Sequence, residues 1–313
     1  MTFGHDTTTD EVLAGIDLAG KRAIVTGAST GLGEETARAL ASRGAAVTLA
    51  VRDTAKGEAA AGRIRASTGS NNIDVGVAEL SVPDSVRAFA KTWLAGNTKL
   101  DILINNAGIM ACPLARTREG WEMQFATNHL GHFLLTCLLV PALRAADKAR
   151  VVNLSSAGHH LSNVDFDDPH FERRDYDKWV SYGQSKTANV LFSVELTKRL
   201  AKDGITANAV HPGGIQTELG RHLVPEDIQI LMARTQSSGG FKYKTIPSGA
   251  ATSVWAATSP TLTGRGGLYL EDCGIAQPGS GVSGYSPYAR DEAGAAKLWA
   301  LSEKTLGEKF PLA

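Results

Sequence analysis

Cysteine is scarce in this 313-residue chain, and neither sign of charge is in excess, with 32 basic side chains against 32 acidic ones. The three cysteines, Cys112, Cys137 and Cys273, lie far apart without a CxxC pair or zinc-ligand spacing. That excludes a disulfide scaffold, offers no metal site and fits reduced thiols in a cytoplasm. A formal charge of zero implies no basic face for nucleic acid or an acidic membrane, and points to a small molecule as the partner. Long apolar runs are missing as well. The longest, around 130–143, is helix-length and contains His132 and Pro141, so no integral membrane segment is expected. Residues 1–10 lack the basic and apolar stretches of a signal peptide, and the expected location is cytoplasmic.

What the chain has is a rhythm. Short, partly β-branched apolar runs at 22–26, 46–51, 73–77, 101–104, 150–154, 205–210 and 267–270 alternate with helical patterns near 31–43, 54–67, 83–95, 119–145, 178–202 and 248–258. The alternation predicts an α/β fold: one Rossmann-type, doubly wound domain over 1–313, with a central parallel sheet of about seven strands and helices on both faces. In such a sheet the ligand sits beyond the carboxyl ends of the strands, at the topological switch. Three stretches depart from the rhythm. They are an N-terminal arm over 1–17, a segment over 217–247 that reads as a substrate lid, and a C-terminal extension over 273–313 that begins rich in Gly, Ser and Pro.

Tyr182-Gly183-Gln184-Ser185-Lys186 lies inside one helical pattern, and a spacing of four puts the phenol and the ammonium on one face, a turn apart. At roughly 4 Å and an effective dielectric of about 20 their attraction is about 4 kcal/mol, enough to lower a phenol pKa by about three units. Alone, the pair reads equally as a chance neighbourhood on a solvated helix. Upstream, Thr26-Gly27-Ala28-Ser29-Thr30-Gly31-Leu32-Gly33 follows the first strand pattern and opens a helix. Glycines there let the main chain approach a pyrophosphate while the positive helix end receives its charge. Asn105-Asn106-Ala107-Gly108 ends the fourth strand pattern, where an amide and small residues permit approach to a ribose or adenine.

Six motifs in this order resemble the short-chain dehydrogenase/reductase family over about residues 18–272, and look closest to its retinol dehydrogenase-like branch. TGASTGLG resembles the family's cofactor turn, with Gly27, Ser29, Thr30, Gly31, Leu32 and Gly33 as its cofactor-binding residues. NNAG resembles the fourth-strand motif, with Asn105, Ala107 and Gly108 beside the cofactor. Asn128 in Gln124-Phe-Ala-Thr-Asn-His-Leu-Gly131 stands where the family has its helix asparagine. Asn153-Leu-Ser155-Ser156 resembles the strand-five motif, whose second serine is catalytic, and Tyr182 to Lys186 the catalytic helix. In His211-Pro212-Gly213-Gly214-Ile215-Gln216-Thr217 the resemblance assigns the cofactor to Pro212, Gly213, Ile215 and Thr217.

The resemblance implies Tyr182 as general acid or base, Lys186 as the cation that lowers its pKa and binds the nicotinamide ribose, Ser156 as donor to the carbonyl oxygen, and Asn128 as holder of a relay water. Where many relatives have an aspartate after strand three, this chain has Glu79 before Leu80, the expected adenine contacts. The stretch from Ser156 to Tyr182 is longer than in short members and carries Trp179, the one tryptophan that reads as a substrate contact; Trp121 and Trp255 read as core or interface anchors.

At the end of the second strand pattern, Val51-Arg52-Asp53 lacks the acid that would bond the ribose hydroxyls of NAD, and Arg52 suits a 2′-phosphate. NADP is the expected cofactor, with NAD the second choice; Arg52 also reads as an ordinary surface charge. Asp53 reads as a helix cap. The expected activity is interconversion of a lipophilic alcohol with its aldehyde or ketone, in a homo-oligomer. Reduction of a conjugated C=C bond, or a non-catalytic NADP(H) sensor, are the alternatives on the same fold. No G-x-S-x-G elbow supports a serine hydrolase, and the histidines at 129, 132, 159 and 160 lack metal-ligand spacing.

Overall fold

Two strands near the start of the chain show how the sheet is built. β1 (Arg22–Thr26) and β2 (Ala46–Val51) are buried at every position but the first, as strands covered on both faces must be. The computed structural model describes residues 3–236 and 242–311. It continues with β3 (Ile73–Val77), β4 (Ile102–Asn105), β5 (Arg150–Leu154), β6 (Thr206–His211), β7 (Tyr269–Glu271) and β8 (Gly274–Ile275). The order across the sheet is β3-β2-β1-β4-β5-β6-β7-β8, parallel from β3 through β7. The chain reverses its direction of growth between β1 and β4, which is the switch point where loops part to admit a ligand.

The eighth strand exceeds the seven expected. It returns antiparallel to β7 through a tight turn whose central residues, Asp272 and Cys273, have φ of 49° and 55°. Such a hairpin turn ordinarily calls for Asn-Gly, so these residues carry no turn signal in the sequence.

The helices are α1 (Thr9–Val12), α2 (Gly31–Ala41), α3 (Thr54–Thr68), α4 (Pro83–Gly96), α5 (Met123–Phe125), α6 (Gly131–Arg144), α7 (Lys178–Arg199), α8 (Pro225–Gln236), α9 (Ile246–Thr258) and α10 (Glu292–Leu306). One apolar layer joins α1, α2, α3 and α9 to the sheet, and the other joins α4, α6, α7 and α10. Phe133 of α6 sits at the hub of the second layer, its ring centroid 5.4 Å from Phe192, 4.8 Å from Trp299 and 5.7 Å from Phe310. The C-terminal extension is thus a structural part of the core. It supplies α10, which lies beyond the helical patterns of the sequence, together with Trp299 and Phe310.

The helix expected over 119–145 is divided. A single π turn, Ala126–Leu130, separates α5 from α6 and carries Asn128. One-turn π bulges re-aim side chains that a regular helix would direct elsewhere, and they recur at functional sites. By length and composition Met123–Arg144 could cross a membrane, but 89% of its apolar window is buried inside the protein, so its apolarity is that of a central core helix.

His129 and His132 in this stretch are wholly buried. Desolvation holds His129 down to about 3 and His132 to about 4. The unfolded chain takes up these protons near pH 6.5 while the fold refuses them, so stability present above pH 6.5 is lost as the pH falls towards 4, at about 1.4 kcal/mol per pH unit for each. Urea midpoints should therefore fall steadily between pH 6.5 and 5, ahead of carboxylate titration, and a flat profile there would contradict the burial of neutral imidazoles.

Candidate active site

The loops after β1, β4, β5 and β6 meet at one edge of the sheet. After β1, Gly27 and Gly31 have φ of 65° and 58°, a left-handed conformation that favours glycine. A Cβ on Gly27 would lie 2.9 Å from Cα of Ala107, so the turn after β4 presses directly on the turn after β1. At Gly33 a Cβ would collide with the Gly27 carbonyl, and at Gly31 it would meet the Thr217 side chain at 3.6 Å. Gly27, Gly31, Gly33, Ala107 and Thr217, widely spaced in sequence, thus form one cradle.

That cradle fits a dinucleotide pyrophosphate on an observation independent of the motif. Asp53, Asp177, Thr245 and Asp291 each cap a helix by accepting a main-chain N–H, those of α3, α7, α9 and α10. Thr30, at the start of α2, makes no such bond, which leaves the first N–H groups of α2 without a side-chain acceptor. The one acid in that turn, Glu34, is held by Arg63 through bonds of 2.7 and 2.8 Å, and Arg63 also donates to the Ser29 carbonyl at 3.3 Å. Negative charge beside the cradle is thereby neutralised.

Thr26 is the hinge pin of this region. Its hydroxyl accepts N–H bonds from Asn106 and Ala107 at 2.9 and 3.0 Å and lies 2.9 Å from Nε2 of His132. Because Nδ1 of His132 lies 2.9 Å from the Asn128 carbonyl, which only accepts, Nδ1 carries the ring proton and Nε2 receives the Thr26 hydroxyl. Asn128 in turn brackets Ile109, donating to its carbonyl and accepting from its N–H, both at 2.9 Å, and donates to Ser185 Oγ at 2.9 Å.

Tyr182 and Lys186 point from α7 into the same corner. The Lys186 ammonium is 5.6 Å from the Tyr182 ring centroid and donates to the Leu154 carbonyl at 3.1 Å. Both side chains are almost fully buried. The expected lowering of the phenol pKa by the lysine is not what the structure shows: burial pushes Tyr182 up to about 12, opposed by a hydrogen bond with Ser156, and pushes Lys186 down to about 8. Burial disfavours the charged form of each group, the phenolate of Tyr182 and the ammonium of Lys186 alike. Ser156 begins a 3-10 turn, Ala157–Leu161, and its Oγ accepts from Gly158 N at 3.0 Å. Ser155 instead donates to the Lys186 carbonyl at 2.9 Å, a structural bond.

Asn105 is turned into the sheet, where its amide donates to Thr136 at 2.9 Å and to Asn153 at 2.7 Å, so its side chain ties β4 to β5 and α6 and does not reach the cradle. Glu79 folds back on Ser81 Oγ at 2.9 Å, and the Leu80 carbonyl packs on Gly131. Leu32 and Ile215 close together over Gly249. Gly213, with φ of 88°, lies under Lys244, whose ammonium pairs with Asp272 at 2.5 Å. Arg52 is exposed at the end of β2, and Asp53 caps α3 as expected. Trp179 is buried at the start of α7. Pro212 and Gly108 flank the site, and a Cβ on Gly108 would come within 3.2 Å of Asn128 Oδ1 and 3.5 Å of Lys186 Nζ.

Asn106, His132, Gly158, Gln184 and Lys244 also build the site, although no motif assigns them a role. Gln184 pins the long stretch before α7 by accepting from Asp165 N at 2.9 Å and donating to the Pro169 carbonyl at 2.8 Å. Gly183 inside a helical pattern was the available signal of close packing; a Cβ there would lie 2.9 Å from the Gly158 carbonyl.

The fold and the site together define a nicotinamide-dependent oxidoreductase, and the chain belongs to the short chain dehydrogenase family, whose pattern matches residues 21–227. It is 44% identical to human retinol dehydrogenase 12 over 295 residues, 94% of this chain and 89% of that one. Among solved structures, an uncharacterized protein from Mycobacterium paratuberculosis superposes with a TM-score of 0.75 at 38% identity, covering 98% of this chain and 99% of that one. RhlG of Pseudomonas aeruginosa, solved as an NADP active-site complex, gives 0.64 at 28% identity over 82% and 95%.

A Cβ on Gly158 would stand 2.6 Å from the Tyr182 ring and 3.4 Å from Ser156 Oγ. Gly158→Ala should consequently displace the phenol and cut kcat on the order of a hundredfold, with nucleotide affinity nearly unchanged because the cradle is untouched. Steady-state kinetics and a fluorescence titration with NADPH measure the two, and parental kcat would show that the ring has room to move.

Proposed function

We propose that this protein is an NADP-preferring oxidoreductase that interconverts a lipophilic alcohol with its aldehyde or ketone. The observation that carries the reading is the convergence, at one sheet edge, of the buried Tyr182 and Lys186 and the half-buried Ser156 with an α2 N-terminus left free of any side-chain cap. A bound nicotinamide supplies hydride exchange at the carbonyl carbon. Tyr182 gives the proton in reduction, and a phenol held near 12 carries that proton at neutral pH. Ser156 keeps its own proton to offer the carbonyl oxygen, because the bond from Gly158 N uses only a lone pair. Lys186, held near 8 by burial, is the proton source that restores Tyr182, while Asn128 holds the Ile109 main chain and Ser185 beside it.

NADP is preferred on two grounds. Arg52 stands exposed after β2 with no acid at Val51 and no salt bridge among the described residues, whereas Arg63 at the same rim is already committed to Glu34. The RhlG structure named above holds NADP. Preference for a bulky apolar substrate is supported by the likeness to retinol dehydrogenase 12 and by Val224, Ile228, Ile230 and Met232, large apolar side chains exposed on and beside α8. A lid role for α8 is supported by the ion pair of Asp227 with Lys178 at 2.7 Å, which ties it one turn from Tyr182; residues 237–241 of the expected lid lie outside the described residues.

NADPH consumption with a panel of ketones, aldehydes and enones tests the reading. Tyr182→Phe should lose about 10²–10⁴-fold in kcat and still bind NADPH. Turnover within about tenfold of the parent would remove the tyrosine from the proton path.

Calorimetry with both nucleotides checks the cofactor. Arg52→Ala should weaken NADPH by about 10- to 150-fold, the worth of a charge-assisted contact of roughly 1.5–3 kcal/mol, and leave NADH unchanged. Equal loss for both would assign Arg52 to folding.

A further inference from the structure

The turn that presents Ser156 has a second fastening, made by a residue with no role in the chemistry described so far. His159 is fully buried three residues beyond Ser156. Its Nδ1 lies 2.6 Å from the Ser156 carbonyl, and its Nε2 lies 3.1 Å from the main-chain N of Ser286. Main-chain partners leave no ambiguity about the ring. A carbonyl only accepts and an N–H only donates, so the ring is neutral, with its proton on Nδ1 and its lone pair on Nε2. The Tyr269 hydroxyl, 3.2 Å from Nδ1, is the secondary contact, and the ring is flanked by Tyr269 and His160 at centroid distances of 4.8 and 4.0 Å.

Around this ring the serine turn is bound to three other elements. The His159 carbonyl accepts the hydroxyls of Thr187 in α7 at 3.1 Å and Tyr288 at 2.7 Å. Ala157 N donates to Nδ1 of His211 at the end of β6, 3.2 Å away. His160 meets Ser286 Oγ at 2.6 Å. The segment around Ser286 to Tyr288, more than a hundred residues later in the chain, thus backs the turn on which Ser156 sits.

We propose that His159 is a positioning residue of this active site: its Nδ1–H fixes the Ser156 main chain, and so the direction of the Ser156 hydroxyl towards Tyr182, with the C-terminal segment at Ser286 as the anchor. The proposal rests on the reading of Ser156 and Tyr182 as the catalytic pair. Its specific content is an asymmetry between the two ring nitrogens. The Nδ1 bond acts on the serine and governs turnover. The Nε2 bond acts on the anchor and governs stability.

Two substitutions separate these bonds. His159→Asn keeps a donor where Nδ1 stands and loses the acceptor for Ser286; His159→Gln keeps that acceptor and loses the donor to Ser156. In the full-length protein, with NADPH and the fastest carbonyl of the panel above, His159→Gln should lower kcat by about tenfold to a hundredfold, as loss of an orienting partner does, while His159→Asn stays within about fivefold of the parent. NADPH affinity should be unchanged in both, and His159→Asn, which loses the bond to the Ser286 anchor, should melt earlier than His159→Gln. Equal loss of kcat in the two, or a faster Gln variant, would overturn the proposal and leave His159 as a packing residue. Nitrogen-15 NMR of the histidine rings at neutral pH supplies a readout free of turnover: the Nδ1–H tautomer is expected at His159, and the Nε2–H tautomer would overturn the assignment. Full activity in Tyr182→Phe would instead bring down the functional reading, while the tautomer result would still stand.

Discussion

One buried hydroxyl holds the active-site edge together. Thr26 at the end of β1 uses both lone pairs on the N–H groups of Asn106 and Ala107 and its proton on His132. Those bonds pull the β4 turn onto the β1 turn until only glycine fits at position 27, and through His132 they reach the π turn that carries Asn128. Removing the hydroxyl would strand two main-chain donors and a ring nitrogen at once, and each unsatisfied buried group costs about 1–3 kcal/mol. The cofactor cradle and the catalytic corner are therefore mechanically one unit.

Burial governs the chemistry of that unit more than pairwise charge does. A tyrosine and a lysine one helical turn apart suggest a phenol pulled down by its neighbour, yet in the folded protein both groups move towards their neutral forms, Tyr182 up and Lys186 down. The same desolvation keeps His129, His132, His159 and His211 unprotonated. Neutral rings can present one donor and one acceptor each. This is how His132 and His159 serve as directional struts: each bonds a main-chain carbonyl through Nδ1 and receives a hydrogen bond at Nε2.

The C-terminal part of the chain is as much a component of the site as the motifs are. α10 fills the second core layer with Trp299, and the segment before it meets the serine turn through Ser286 and Tyr288. The hairpin after β7 supplies Asp272, whose ion pair holds Lys244 across Gly213. Two strained residues in that hairpin are stabilised by these contacts, with Cys273 N bonded to Thr252 at 3.2 Å.

By itself the sequence determined the class of fold, the places of seven strands to within a residue or two, the glycine turn and the spacing of Tyr182 and Lys186 on one helix, because each of these is local: periodicity of two or 3.6, a glycine where φ turns positive, a spacing of four on a helix. Asp53 as a cap was legible for the same reason, whereas the choice of Ser156 over Ser155 came from the family resemblance. Only the tertiary structure decided what depends on neighbours distant in the chain. It turned Asn105 into the sheet, inserted a π turn at Asn128, joined His159 to Ser286 and reversed the direction in which the Tyr182 proton affinity moves. Those outcomes follow from desolvation and from which main-chain groups are left to be satisfied, and neither exists until the layers have closed.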